Sequence, residues 1–166
     1  MVDIKQNILS KIDLFTGTIL MPQGFEIDRE VLKTDILKHN VQDCSFPFSR
    51  EWDKLNTYLR EHITLEYNFT LVNKLTTGLM FKPNESNFPD SENDKVDLRN
   101  SPDYILLYGV DLENTNVRIY YDDNRRAGRT WDINLQNNKF IMFPSTLIYH
   151  ISNNQKDKLN FILKIT

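Results

Sequence analysis

A chain of 166 residues, 40% hydrophobic and 26% charged, suits one domain with a sizeable core and has an ordinary globular composition. Its formal net charge of −3 and pI of about 5.6 argue against a general nucleic-acid binder, which needs a basic face for phosphates. The single cysteine, Cys44, rules out an internal disulfide and fits a reducing compartment.

The first residues, MVDIKQNILSKIDLF, interleave charges with apolar residues and contain no apolar core like that of a signal peptide. No segment approaches the length of a membrane span, so a cytoplasmic location, in a bacterium or an infected host cell, is expected. The sequons at Asn68 and Asn84 then read as chance. Eighteen Asn against five Gly is the bias of an AT-rich genome, such as a phage or marine bacterium.

Two helices are predicted in the first half. Residues 27–39 place Ile27, Val31, Leu32, Ile36 and Leu37 at helical spacing. Residues 49–63 form one stripe of Trp52, Leu55, Leu59 and Ile63, with Ser49 as N-cap. His39 and His62 fall near the helix C-termini, where imidazole is favoured electrostatically, so both read as structural.

Strand patterns follow. Residues 64–73 alternate with Leu65, Tyr67, Phe69 and Leu71 on one side, and 79–81 is a short strand. The polar, acidic stretch 83–102 reads as a long loop. Further strands are predicted over 104–112, 116–123, 129–135, 139–143, 146–151 and 158–165. Short strands at this spacing predict an antiparallel sandwich or barrel. The expected organisation is a single domain, 1–166, with a mainly helical part (1–63) packed on a β core (64–166).

The last two strands are predicted to form a hairpin across SNNQKD, 152–157. With the turn centred on Asn154, His150 lies opposite Lys158 and Ile148 opposite Asn160. Leu147, Tyr149 and Ile151 then share an apolar face with Leu159, Phe161 and Leu163. The other face carries His150, Lys158, Asn160 and Lys164. Cross-strand neighbours lie about 5 Å apart, so His150 and Lys158 would converge on a small anionic ligand; the plain alternative is a solvated face.

The run NKFIMFPSTLIYH, residues 138–150, with Lys158 eight positions on, resembles the C-terminal part of the 2-oxoglutarate/Fe(II)-dependent oxygenases. It looks most like the small phage and bacterial prolyl-hydroxylase-like members. RIYYDD and YILLYGVDL resemble the strands before it, so the likeness covers roughly residues 100–166. It implies a double-stranded β-helix (a jelly-roll or cupin-like fold, mainly β with N-terminal helices) and Fe(II) and 2-oxoglutarate as cofactors. On that likeness His150 takes the distal iron-ligand role, and Lys158, with Asn160 beside it, the cosubstrate role. Two departures follow. Lys lacks the bidentate fork that Arg offers a carboxylate. The family's first ligand pair, expected just before YILLYGVDL, falls on DKVDLRNSPDY, which offers Asp94, Asp97, Asn100 and Asp103 but no histidine. Asp97 with His150 makes two ligands where the iron triad needs three.

Other constellations are weaker. Arg125, Arg126 and Arg129 read as a solvated hairpin tip; Asp111, Asp122, Asp123 and Asp132 match no EF-hand spacing; Cys44 has no histidine beside it in sequence. No phosphate-binding glycine loop or zinc spacing is present. The reading taken forward is an oxygenase-like protein with an incomplete metal site, taking either Fe(II) and 2-oxoglutarate or no cofactor, and acting as a binding or accessory protein for an unknown protein or small-molecule ligand. Two alternatives stand beside it. One is an active Fe(II)/2-oxoglutarate dioxygenase with an unusual ligand set, hydroxylating a protein or small molecule. The other is a viral-type jelly-roll structural or assembly protein whose apolar edges make a homo-oligomer.

Overall fold

Two helices and nine strands make up the described part of the chain, residues 12–67, 71–72, 75–88, 103–122 and 129–166 of a computed structural model. An edge strand, β1 (Phe15–Thr18), precedes α1 (Arg29–Gln42) and α2 (Arg50–Tyr67). Asp28 caps α1 by accepting from the Glu30 N–H at 3.0 Å, and Ser49 Oγ caps α2 by accepting from the Trp52 N–H at 3.3 Å. The stripe Trp52, Leu55, Leu59 and Ile63 is buried as its spacing predicts. The helical period carries on past Ile63, so 64–67 is helix rather than the start of a strand. Leu65, assigned to the predicted strand's apolar side, is 82% exposed on α2.

The remaining strands are β2 (Thr76–Phe81), β3 (Ser86–Asn87), β4 (Tyr104–Asp111), β5 (Thr115–Asp122), β6 (Arg129–Leu135), β7 (Lys139–Pro144), β8 (Ile148–Asn153) and β9 (Asn160–Ile165). They form two antiparallel sheets, a five-stranded one in the order β1-β7-β4-β9-β2 and a four-stranded one in the order β3-β8-β5-β6. The chain passes between the sheets repeatedly, the winding of a double-stranded β-helix. β3 lies inside the stretch that composition marked as loop, because two residues paired only to β8 leave no alternating pattern to read.

Two cores result. Leu106, Tyr108, Met142, Phe161 and Leu163 point from the five-stranded sheet toward Leu32, Ile36, Leu55 and Leu59 of the helices. Ile105, Leu107, Ile141, Phe143 and Ile162 point the other way and meet Val117, Ile119, Tyr149 and Ile151 of the four-stranded sheet. Among the described residues the five-stranded sheet is therefore covered on both faces, and the four-stranded sheet on one.

The predicted final hairpin does not form. β8 pairs with β3 and β5, whereas β9 pairs with β2 and β4 in the other sheet. Asn153, 1% exposed, makes the crossing. Its Nδ2 donates to the carbonyls of Phe81, Lys82 and Lys158 at 3.2, 3.1 and 2.8 Å, and its Oδ1 accepts from the Gln155 N–H at 3.0 Å. The side chain so satisfies carbonyls at the end of β2 and just before β9, where the chain crosses between the sheets. Tyr149 and Ile151 consequently share no face with Phe161 and Leu163; the two pairs lie in different cores.

Candidate functional site

Alternation along β8 decides where the predicted ligand histidine goes. Tyr149, Ile151 and Asn153 are buried, and Ile148, His150 and Ser152 take the opposite face. His150 thus projects from the outer face of the four-stranded sheet. Its ring packs on Phe88 at 4.7 Å between centroids, and its strand partner on β5 is Arg118. Phe88 also lies 6.2 Å from the Tyr120 ring. Arg118 forks onto Asp132 of β6 with 2.7 and 3.1 Å bonds. Each ion holds the other charged: Asp132 lowers below the usual carboxylate range chiefly through the Arg118 hydrogen bond, and Arg118 rises through the same contact.

Tyr149, one residue earlier, occupies the interior position. It is 2% exposed and packs edge-on against Phe143, with ring centroids 5.1 Å apart. A one-residue phase separates a histidine between the sheets from one on the outside.

Lys158 is drawn elsewhere. Its Nζ lies 3.0 Å from Asp111 Oδ1, while Lys33 of α1 holds Asp111 Oδ2 at 2.9 Å. The register of β4 against β9 shifts between Gly109 and Asp111, setting Asp111 opposite Phe161, on the helix side. Lys33 reaches it across the Phe161 ring, 5.5 Å from the centroid. Burial by itself raises the Asp111 carboxyl; the bonds from Lys33 and Lys158 outweigh it and hold the group below its ordinary value. The two lysines and one carboxylate tie α1, β4 and the β8–β9 crossing together.

Asn160 is fully buried and spent on the Glu113 backbone and the Thr115 hydroxyl. Its Oδ1 accepts from the Glu113 N–H at 3.2 Å, and its Nδ2 donates to the Glu113 carbonyl at 3.2 Å and to Thr115 Oγ1. It secures the β4–β5 turn to the start of β9. Asp97, with Asp94 and Asn100, lies outside the described residues. So do Arg125 and Arg126.

His62 behaves as its helical position predicts: its Nδ1 donates to the Tyr58 carbonyl at 2.9 Å and the ring stacks on Tyr58 at 3.8 Å. His39 donates to the Cys44 carbonyl at 2.5 Å and meets Phe46 edge-on. Asp111 and Asp132, two of the four aspartates weighed for calcium, are held by lysines and an arginine at separate sites. Arg118, Asp111 and Tyr149 carry the local geometry; the sequence pointed to Asp111 only as one of four aspartates, to Tyr149 only as an apolar-face residue, and not to Arg118. The one available signal was the alternation of β8, which already assigned Tyr149 and His150 to opposite faces.

Two solved structures share this architecture. A Pseudomonas putida prolyl-4-hydroxylase superposes with a TM-score of 0.58 at 11% identity, covering 91% of this chain and 85% of that one. AviO1 from Streptomyces viridochromogenes Tue57 superposes with a TM-score of 0.60 at 10% identity, covering 92% and 87%. The fold is a prolyl-hydroxylase-like double-stranded β-helix. No protein-family model matches the sequence, and no curated protein does. At such identities the likeness establishes the fold alone. No helix among the described residues is long and apolar enough to cross a membrane.

The fold family implies Fe(II) and 2-oxoglutarate, and the fit can be tested on the residues present. His150, Lys158 and Asn160 go to three different places: the outer sheet face, the Asp111 ion cluster and a buried turn. Among the described residues no three of His, Cys, Asp and Glu gather closely enough to hold a metal ion. These residues do not fit an iron and 2-oxoglutarate centre.

Proposed function

We propose that this chain is a binding or accessory protein built on an oxygenase double-stranded β-helix whose iron site is incomplete. The observation that carries this reading is the phase of β8. The side chain turned between the sheets is Tyr149, packed on Phe143, while His150 packs on Phe88 outside. The lysine suggested for the cosubstrate supports it too, since its ammonium is engaged by a 13%-exposed carboxylate, Asp111. Releasing Lys158 for a ligand would leave Asp111 with Lys33 alone, at a cost of about 1 kcal/mol for a pair whose lysine is half-exposed.

The test is metal and cosubstrate binding on protein purified without a chelating column. Substoichiometric iron after anaerobic Fe(II) loading, no heat of 2-oxoglutarate binding and no succinate formation are expected. Stoichiometric iron together with succinate release would overturn the reading in favour of an active dioxygenase. His150→Ala is expected to change neither metal content nor 2-oxoglutarate binding.

A further inference from the structure

The free edge of the five-stranded sheet carries a docking geometry separate from His150. Among the described residues β1 pairs with β7 alone, through Phe15↔Met142, Thr16↔Ile141, Gly17↔Phe140 and Thr18↔Lys139. The Ile19 N–H continues that ladder to the Asn138 carbonyl at 2.7 Å. In an antiparallel pair, hydrogen-bonded residues alternate with residues whose backbone groups point away. Ile19, Gly17 and Phe15 therefore bond β7, and Thr16 and Thr18 turn their N–H and C=O groups to the open edge. The next outward N–H, that of Leu20, is capped by the Tyr58 hydroxyl at 3.2 Å. The edge is thus closed at one end and presents a template two residues long.

A cleft lies on each face of this template. On the inter-sheet side, about 560 Å³ opens between β1 and β6, beside Trp131 and Ile133. Trp131 is 55% exposed there although its place on β6 is opposite buried Ile119. On the helix side, about 360 Å³ opens beside Leu59, His62 and Phe140. Gly17 has no side chain because a Cβ there would enter the Phe140 ring. An added strand alternates its side chains between two faces, so it would use both clefts.

The charge is uneven. Asp132, which borders the cleft at β6 but turns its carboxylate to the outer face, is neutralised there by Arg118, and Lys139, the cross-strand partner of Thr18, has no ion-pair partner among the described residues. That cleft carries one uncompensated positive charge, which complements an acidic side chain on the incoming strand. The two residues would lie about 10 Å apart across Thr18, within reach of a glutamate and a lysine.

We propose that β1 is a β-augmentation site for an extended peptide segment of a protein partner, paired antiparallel to Thr16–Thr18. In that register an acidic residue lies opposite Thr18, a large apolar residue opposite Gly17, and an apolar residue opposite Thr16 against Trp131. The backbone supplies most of the affinity and the two clefts the selectivity. This is independent of whether a metal binds near His150.

A capped heptapeptide, Thr-Thr-Glu-Phe-Val-Thr-Thr, is the probe, read by amide hydrogen exchange and fluorescence titration on the full chain. At peptide concentrations up to about 1 mM, exchange at the Thr16 and Thr18 amides is expected to slow at least tenfold. The same peptide N-methylated at Glu and Val is expected not to bind, since it lacks the two donors. Thr18→Pro removes an outward N–H and leaves the β7 ladder whole, so it should fold normally by circular dichroism and lose binding. Lys139→Glu should weaken the peptide about threefold, and a Lys-for-Glu peptide should regain it. Unchanged exchange at Thr16 and Thr18 under saturating peptide would overturn the proposal, as would equal binding by the N-methylated peptide. Light scattering that showed the edge occupied by a second copy, with dissociation in Thr18→Pro, would also overturn it in favour of self-pairing.

Discussion

The two sheets are built from similar lengths of strand but bury them differently. The five-stranded sheet is packed on both faces, by the helices on one side and by the second sheet on the other. β9 accordingly has Asn160, Phe161, Ile162, Leu163 and Ile165 all buried. Among the described residues the four-stranded sheet buries its inner face alone, and its outer face carries His150, Arg118, Asp132 and Phe88. Neighbouring residues on β8 therefore live under different physics: Tyr149 is fixed by packing in the core, His150 by a tilted contact with the half-exposed Phe88 ring. The comparison teaches that a histidine in a family-like stretch is a ligand candidate only on the face where the metal would sit.

Mutations across that boundary give graded effects. Tyr149→Ala should cost roughly 4 kcal/mol, because it empties a closed position against Phe143; urea denaturation measures it. A loss under about 1 kcal/mol would mean that the interior is looser than its burial implies. Asn160→Ala should cost about 2 kcal/mol by removing the partners of the Glu113 backbone and of the buried Thr115 hydroxyl. Asn160→Asp would not rescue it, since the amide donates as well as accepts.

Asp111→Asn is expected to cost about 1–2 kcal/mol at pH 7 and to change the pH dependence. The Asp111 carboxyl is held below its ordinary value by Lys33 and Lys158 against the opposing effect of burial. A carboxyl lowered in the folded state stabilises above its unfolded value and loses that contribution as pH falls through the folded one. The wild type should therefore lose stability below about pH 4, and Asp111→Asn should lose less over the same interval. Parallel urea midpoints for the two proteins from pH 7 to pH 3 would remove Asp111 from the acid limb. Smallest of all, His150→Ala should shift stability by no more than about 0.5 kcal/mol. A cost near that of Tyr149→Ala would erase the distinction between the two faces.

Much of this fold was legible. The stripe of α2, its Ser49 cap, the alternation of β8 and the order of the C-terminal strands are local patterns, set by side-chain period and turn chemistry. The end of α2 was misread because alternating apolar residues at 65 and 67 fit a strand as well as a helix end. β1 and β3 were missed because four and two residues are too few to establish a period. In the site, the faces of Tyr149 and His150 were readable, but the neighbours of those faces were not. Lys158 was matched to His150 on the assumption that consecutive strands pair. The buried amide of Asn153 breaks that assumption and leaves Lys158 to Asp111, 47 residues away in sequence.

The sequence by itself determined an antiparallel β fold with packed helices, the two faces of β8 and a likeness to oxygenases in the strand that carries His150. These rest on interactions between residues close in the chain, whose spacing is printed in the sequence. Only the tertiary structure decided which sheet each strand joins, and hence that His150 faces Phe88 and Arg118, that Asp111 gathers Lys33 and Lys158, and that Thr16 and Thr18 stand at an open edge. Those contacts join distant segments, and they are chosen by which pairing buries the most apolar surface while leaving the fewest buried polar groups unmet.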